Sequence, residues 1–178
     1  VTKDVLDPRG DTETLIALSL QIPARRILDL GTGTGAIGIT LATEWSDATL
    51  IASDLSDMAL KVAERNAKQL DVFERCQFIK SDWFSAIEGV FDLIVSNPPY
   101  VESRAMKNLD DDIKKYEPKI ALDGGNDGLD VIKKVIYKTK EILKKNGVLA
   151  LEIGNNQYKK VSEILINNNF RLEHKIKD

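Results

Sequence analysis

The sequence predicts an α/β fold, a doubly wound and mostly parallel sheet with helices on both faces. Short apolar runs that are typical of strands alternate along the chain with longer stretches of helical periodicity. This alternation is the pattern of a parallel sheet whose crossovers are helices. A glycine-rich turn also follows the first apolar run directly, as it does where a strand enters a helix beside a ligand.

Each element follows from its own pattern. Strands are predicted at residues 26–30, 49–54, 76–80, 91–96 and 147–153, with a weaker one at 170–176. Helical patterns lie at about 11–21, 36–45, 56–70, 129–145 and 156–168. The longest irregular stretch, roughly 97–128, is rich in proline and glycine, and long loops in compact domains are usually functional. We expect this stretch to form the rim of a substrate site.

Composition excludes several classes of protein. The 178 residues suffice for one domain, and no apolar run approaches the length that spans a membrane. A net charge of −3 argues against tight binding of nucleic acid, and the lysines between residues 133 and 145 have the spacing of a solvated helix face. One cysteine, Cys76, and one histidine, His174, give neither a disulfide nor a metal site. We therefore expect a cytoplasmic monomer without a metal.

The most specific local feature is Ser96-Asn-Pro-Pro-Tyr100, which directly follows a predicted strand. Two prolines cannot continue a strand ladder, so Asn97 is held in a stiff loop at the carboxyl end of the sheet. The side-chain oxygen of Asn97 and the Pro98 carbonyl are both acceptors and can bind one planar NH2 group. Tyr100 can stack on that group. The alternative is an Asn-Pro turn beside a core tyrosine.

A second motif is Asp29-Leu-Gly-Thr-Gly-Thr-Gly35, where a strand runs into three alternating glycines. The residue 19 positions after Gly35 is Asp54, which ends the next strand and can hold the two hydroxyls of a ribose. The alternative for Asp54 is a helix N-cap, but Ser56 can fill that role. Alone, the glycine loop fits NAD, S-adenosylmethionine or a structural turn.

Together, and in this order, the two motifs resemble those of class I S-adenosylmethionine-dependent methyltransferases that act on planar nitrogens. The stretch Asp7-Pro-Arg-Gly-Asp-Thr-Glu13 resembles the Ile-Pro-Arg-x-Asp-Thr-Glu segment of the HemK/PrmC family, which methylates the glutamine of the Gly-Gly-Gln motif in peptide-chain release factors. Further similar stretches, which extend the resemblance over nearly the whole chain, are Ser81-Asp-Trp-Phe84, Tyr116-Glu-Pro118, Gly124-Gly-x-Asp-Gly128 and Leu149-x-Leu-Glu-Ile-Gly154.

The resemblance implies a residue-by-residue site for S-adenosylmethionine. Asp82 is expected to accept from the adenine amino group with Trp83 against the ring, although a core tryptophan is the open alternative for Trp83. Thr12 is expected at the methionine end, or else as a cap of the first helix together with Asp11. The expected cofactor residues are Asp29, Gly31, Thr32, Gly33, Thr34, Gly35, Asp54, Asp82, Trp83, Asn97 and Thr12.

For the substrate, the resemblance implies a release factor as protein partner. Asn97, Pro98 and Tyr100 are the expected catalytic residues. Proton loss can follow methyl transfer, so no dedicated base is required. The residues expected to contact the substrate are Asn97, Pro98, Pro99, Tyr100, Arg9 and Glu13.

Two departures from the family concern the ends of the chain. Residues 1–178 are expected to be a catalytic domain, without the helical substrate domain that precedes it in the family and without the last strand of the sheet. Asp7 and Gly10 also differ from the family pattern.

Three other functions compete with this one. A DNA or RNA N-methyltransferase shares Asn-Pro-Pro-Tyr but is disfavoured by the acidic balance. A nicotinamide-dependent dehydrogenase has no use for that motif, and a module that only binds the cofactor has no need of Asn97.

Overall fold

The computed structural model describes residue 5 and residues 10–176, apart from the side chains of residues 112 and 116. The helices are α1 Gly10–Ser19, α2 Ala36–Glu44, α3 Asp57–Gln69, α4 Asp111–Tyr116, α5 Asp130–Ile142 and α6 Tyr158–Asn167. The strands are β1 Arg26–Leu30, β2 Thr49–Asp54, β3 Cys76–Lys80, β4 Phe91–Ser96 and β5 Leu143–Leu151. The first four strands have the predicted bounds.

The strands form one parallel sheet in the order β3-β2-β1-β4-β5. The chain moves outward from β1 to β3 and then crosses back to β4 on the other side of β1. The switch in direction therefore lies between β1 and β4, where Leu30 pairs with Ser96. Ligands of open α/β sheets bind at the carboxyl ends of the strands at such a switch point.

Helices cover both faces of the sheet, which confirms the doubly wound prediction. Ile27 and Leu28 are neighbours in β1, and their side chains enter different clusters because successive strand residues point to opposite faces. The Ile27 cluster packs against α1, α2 and α3, whereas the Leu28 cluster packs against α5. A third cluster joins α5 to α6. Fully buried aliphatic residues on both faces make the sheet a rigid platform for its carboxyl edge.

One predicted boundary is wrong. The helix expected at 129–145 ends at Ile142, and the strand expected at 147–153 begins at Leu143. Leu143 pairs with Phe91, and the register then shifts before Val148 pairs with Leu93. Asn146, with φ 65°, lies within this irregular stretch. Helical spacing of the lysines hid the change from helix to strand.

Two further expectations are corrected. The stretch 97–128 is not wholly irregular, since it contains α4 and the 3₁₀ turns Ser103–Asn108 and Lys119–Ala121. The weaker strand expected at 170–176 is wrong, because residues 170–176 make no strand ladder and residues 171–176 are exposed. A strand is defined by its ladder hydrogen bonds, and an alternating pattern without a paired neighbour does not supply them.

Candidate active site

The strand register brings four polar or glycine positions to one edge of the sheet. Because Leu30 pairs with both Ser53 and Ser96, the following residues Gly31, Asp54 and Asn97 lie side by side. Ser96 pairs with Leu151 in turn, which puts Glu152 beside Asn97. The predicted cofactor loop and the predicted substrate loop therefore meet at the switch point.

The glycine loop turns through left-handed backbone at Gly31, Gly33 and Gly35, with φ of 68°, 56° and 83°. Side chains of L residues rarely adopt this conformation. A Cβ at Gly35 would also lie 2.2 Å from Cδ1 of Ile39, in the first turn of α2. Three glycines therefore shape the loop, and the backbone of Gly31 and Gly33 is exposed to the cavity.

Asp54 is held by backbone N–H groups on both of its oxygens. Oδ2 accepts from the Gly33 amide at 3.0 Å, and Oδ1 accepts from the Ser56 amide at 2.9 Å. Ser56 itself caps α3, because its hydroxyl accepts from the Ala59 amide at 3.3 Å. The prediction that Ser56 is the cap is therefore confirmed. Each carboxylate oxygen of Asp54 retains acceptor capacity for a further donor.

Asp29 lies buried below the glycine loop. Its Oδ2 accepts from the Thr32 hydroxyl at 2.7 Å and from the Gly38 amide at 3.0 Å, which ties the loop to the start of α2. The pKa of Asp29 is raised to about 6, chiefly by burial and to a smaller extent by the nearby Asp54, although the two hydrogen bonds lower it. Oδ1 has no hydrogen-bond partner among the described residues. Asp29 therefore braces the loop from beneath.

A cavity of about 240 Å³ opens above this edge of the sheet. The predicted site residues that line it are Thr12, Gly31, Thr32, Gly33, Thr34, Asp54, Trp83, Asn97 and Pro99. Other predicted residues lie outside its lining, namely Asp29, Gly35, Asp82, Pro98, Tyr100 and the exposed Glu13. Arg9 and Asp7 lie outside the described residues.

Trp83 and Asp82 occupy different environments although they are neighbours. The Trp83 ring packs on the core and also over the loop, since a Cβ at Gly31 would lie 3.7 Å from it. Trp83 therefore lies against the core and also in the wall of the cavity, and its contact with the adenine ring stays a prediction. The Asp82 side chain is 61% exposed, and its Oδ1 pairs with Nζ of Lys134 at 2.9 Å.

Asn97 joins a chain of side-chain hydrogen bonds. Its Nδ2 donates to the Thr12 hydroxyl at 3.4 Å, and that hydroxyl donates to Oε2 of Glu152 at 2.9 Å. Oε1 of Glu152 accepts from the Tyr100 hydroxyl at 3.4 Å. Burial raises the pKa of Glu152, and the nearby Asp11 raises it further. The hydrogen bonds from Thr12, Tyr100 and Asn97 lower the pKa, but by less than burial raises it.

Sequence reasoning did not select Glu152 as a site residue. The signal was present in Leu149-x-Leu-Glu-Ile-Gly154, where a carboxylate ends an apolar strand at the same edge as Asn97. Such an acid at a strand end is expected to be exposed unless it has partners, and its partners lie 140 and 52 residues away along the chain. No local pattern reveals them.

The backbone of the Asn-Pro-Pro-Tyr loop is contacted by two other segments, Gln157 directly before α6 and the loop Gly124–Gly128. Nε2 of Gln157 donates to the carbonyls of Tyr100 at 2.9 Å and Gly128 at 3.0 Å. A Cβ at Gly124 would lie 2.7 Å from the Pro99 carbonyl, and one at Gly128 would lie 2.4 Å from the Tyr100 carbonyl. The glycines of Gly124-Gly-x-Asp-Gly128 thus permit close contact with the substrate loop.

Within the described part of the chain, no group of His, Cys, Asp and Glu side chains is placed to hold a metal ion. The helices of residues 10–176 include none that is long and apolar enough to cross a membrane.

A family model described as methyltransferase small domain matches residues 4–115. This match confirms the methyltransferase prediction, and with the class I fold it implies S-adenosylmethionine as the methyl donor.

Curated relatives confirm the resemblance drawn from the motifs. A release factor glutamine methyltransferase of Agrobacterium fabrum is 40% identical over 100% of this chain, which spans 64% of that relative. One of Cereibacter sphaeroides is 44% identical over 93% of this chain and 59% of the relative. A ribosomal protein uL3 glutamine methyltransferase of Francisella tularensis is 45% identical over 74% of this chain and 42% of the relative. The chain thus spans about two fifths to two thirds of the length of these proteins.

Solved structures share the fold at low sequence identity. The ribosomal protein L11 methylase of Lactobacillus delbrueckii superposes with a TM-score of 0.71 at 20% identity, over 96% of this chain and 74% of that one. The hMettl16 catalytic domain in complex with an RNA hairpin gives a TM-score of 0.70 at 16% identity, over 94% and 65% of the two chains. These similarities confirm the predicted fold class.

Proposed function

The chain belongs to the methyltransferase small domain family, and we propose that it methylates the side-chain amide nitrogen of a glutamine in a protein. The proposed substrate is the glutamine of the Gly-Gly-Gln motif in peptide-chain release factors, and the proposed donor is S-adenosylmethionine. The observation that carries the proposal is that Asn97 and the glycine loop share one cavity. The side-chain amide of Asn97, which can accept a hydrogen bond from the substrate, thereby lies beside the loop that is expected to hold the methyl donor.

The residues around the cavity fit S-adenosylmethionine. We assign the ribose hydroxyls to Asp54, whose oxygens are oriented by two backbone N–H groups. The Trp83 ring offers an apolar wall for the adenine. The carboxylate of Asp82, which we assign to the adenine amino group, pairs with Lys134 through Oδ1 and retains Oδ2 as an acceptor. When bound, S-adenosylmethionine supplies a methyl group on a sulfonium, which is already a strong electrophile.

The chain has to position a poor nucleophile, because the lone pair of an amide nitrogen is delocalised into its carbonyl. We propose that Oδ1 of Asn97 and the Pro98 carbonyl each accept one N–H of the substrate amide. Two fixed acceptors aim the nitrogen toward the methyl group and stabilise the positive charge that develops on it. Tyr100 packs on the amide plane, and the proton leaves the methylated nitrogen afterwards.

Relatives named for two different protein substrates, a release factor and ribosomal protein uL3, share the word glutamine in their names. That common chemistry supports a glutamine amide as the acceptor more strongly than it supports one particular protein. We propose the release factor because several relatives at about 40% identity carry that name. We also propose a cytoplasmic monomer, as expected from the composition.

Mass spectrometry of an intact release factor tests this function. The protein is incubated with S-adenosylmethionine and with either the natural Gly-Gly-Gln release factor or a Gly-Gly-Glu version. We expect one added methyl group on the first and none on the second, since glutamate lacks the amide nitrogen. Equal methylation of both versions would show that the acceptor is elsewhere.

A further inference from the structure

Two side chains next to the cavity form a hydrogen-bond relay with Asn97, although neither is a proposed contact of the substrate. Thr12 lies in the first turn of α1 and is 5% exposed. Glu152 follows β5 directly, and its amide donates to the Ser96 carbonyl at 3.1 Å. The sheet therefore anchors Glu152 beside Asn97, and α1 delivers Thr12 between them.

The protons of this relay can be assigned from chemistry. A threonine hydroxyl has one hydrogen, and an ionised carboxylate accepts but does not donate. At 2.9 Å the Thr12 hydroxyl uses its hydrogen on Oε2 of Glu152. Toward Asn97, 3.4 Å away, Thr12 then presents only lone pairs, so the atom of the Asn97 amide that faces it must be the NH2 group.

The relay therefore decides between the two orientations of the Asn97 amide. With the amide reversed, Oδ1 of Asn97 would face an oxygen that has no hydrogen left to donate. In the observed orientation, Oδ1 lies on the opposite edge of the amide, away from Thr12. An acceptor on that edge is what the proposed contact with a substrate N–H requires.

We propose that Glu152 is a positioning residue that, together with the Thr12 hydroxyl, fixes which edge of the Asn97 amide is offered to the substrate. The inference rests on the proposed function, because this orientation matters only if the substrate presents an N–H to Oδ1. The same carboxylate also accepts from the Tyr100 hydroxyl, so one side chain directly after β5 is linked to both ends of the substrate loop.

The first test measures orientation without catalysis. In the cofactor-free protein, the side-chain NH2 signals of Asn97 are followed by ¹⁵N NMR and assigned by their loss in Asn97→Asp. We expect Thr12→Val, which removes the hydroxyl at nearly constant volume, to speed hydrogen exchange of these protons by about tenfold. Thr12→Ser keeps the hydroxyl and should retain the wild-type signals. Unchanged signals in Thr12→Val would overturn the relay.

The second test measures the consequence for turnover. At saturating S-adenosylmethionine, we expect Thr12→Val and Glu152→Gln each to lower kcat on a Gly-Gly-Gln substrate by about tenfold or more, because a misdirected acceptor loses the near-attack geometry. The Kd of Glu152→Gln for S-adenosylmethionine should change by less than about twofold, which also shows that this variant is folded. Because Thr12 lines the cavity, the folding of Thr12→Val is checked by thermal unfolding instead. Thr12→Ser should restore most of kcat.

Combining the variants separates a relay from two independent effects. The effects of residues that act through one another are not additive. The kcat of the double variant Thr12→Val with Glu152→Gln should therefore lie within about twofold of the kcat of the slower single variant. A loss of kcat in the double variant equal to the product of the two single losses would overturn the relay. A wild-type protein that binds S-adenosylmethionine but methylates no glutamine would overturn the proposed function instead, and the NMR result would still decide the orientation.

Discussion

The two halves of the cavity are built in different ways. The cofactor half, defined as the loop Gly31–Gly35 with Asp54, is held largely by backbone N–H groups, as in the two amides bonded to Asp54 at 2.9 and 3.0 Å. The substrate half, defined as Asn97–Tyr100 with Thr12 and Glu152, is joined by side chains that meet at up to 3.4 Å.

This difference shows which contacts fix the geometry of each half. The cofactor half takes its shape from the register of adjacent parallel strands and from glycine conformation, so it is fixed once the sheet has formed. The substrate half depends on side chains from α1 and from the segments that follow β4 and β5, which are distant in sequence. Substitution of Asn97 or Glu152 should therefore alter turnover more than it alters cofactor affinity.

The largest expected effect is that of Asn97→Ala in the substrate half. Removing one group that acts in the transition state typically lowers kcat on the order of 100- to 1000-fold. Cofactor affinity, measured by calorimetry, should change by less than about twofold. Asn167→Ala, at an exposed position near the end of α6, is the matched control and should keep normal turnover. Near-normal turnover of Asn97→Ala would contradict the proposed amide contact.

Asp29 gives the cofactor half a dependence on pH. Burial raises the pKa of Asp29 from 3.8 to about 6, so the folded state holds this proton more tightly than the unfolded state does. The free energy of unfolding therefore falls as pH rises from about 4 to about 6, by about 1.4 kcal/mol for each unit of pKa shift.

Asp29→Asn tests that dependence because it keeps an acceptor for the Gly38 amide and removes the charge. Denaturant unfolding at several pH values should show this variant losing about 3 kcal/mol less stability than the wild type across that range. The exposed Asp47→Asn control should retain the wild-type slope. The same slope in Asp29→Asn would mean that Asp29 is ionised in both states.

Asp54→Ala should show the opposite pattern to Asn97→Ala. Losing a hydrogen bond that involves a charged group costs about 1.5–3 kcal/mol, so the Kd for S-adenosylmethionine should rise by about tenfold or more. The kcat at saturating cofactor should fall only a few-fold. Unchanged affinity, or NAD bound by the wild type as tightly as S-adenosylmethionine, would refute the cofactor assignment.

The smallest expected effect is that of Gln157→Glu, which keeps the oxygen that accepts from the Gly154 amide but loses the donors to Tyr100 and Gly128. Leaving those carbonyls unbonded should lower stability by about 1 kcal/mol and kcat by a few-fold. Cofactor affinity should stay the same. A change in cofactor affinity alone would show that Gln157 acts on the cofactor half.

Much of the fold was predictable because its signals are local. The apolar runs of β1, β2 and β4 lie between turn residues, and the order of glycine loop, acid and Asn-Pro-Pro-Tyr predicted their meeting at one edge. The start of β5 was not predictable, since the residues after Ile142 continue a helical charge pattern until the strand ladder overrides it.

The contacts of the site were less predictable than its members. Thr12 was predicted to reach the cofactor or cap a helix, and it lines the cavity, but its hydrogen bond to Glu152, 140 residues away in sequence, was not predicted. Asp82 was predicted at the adenine, and no motif revealed that its carboxylate pairs with Lys134, 52 residues away. Such pairs follow from the packing of whole elements, which no motif encodes.

Tandem mass spectrometry of a Gly-Gly-Gln peptide from a release factor tests the central claim most directly. After incubation with the wild-type protein and S-adenosylmethionine, we expect the fragment ions to locate a single methyl group on the glutamine side-chain nitrogen. The Asn97→Ala protein should leave the peptide almost unmodified under the same conditions. A methyl group on another residue, or equal modification by both proteins, would contradict the account.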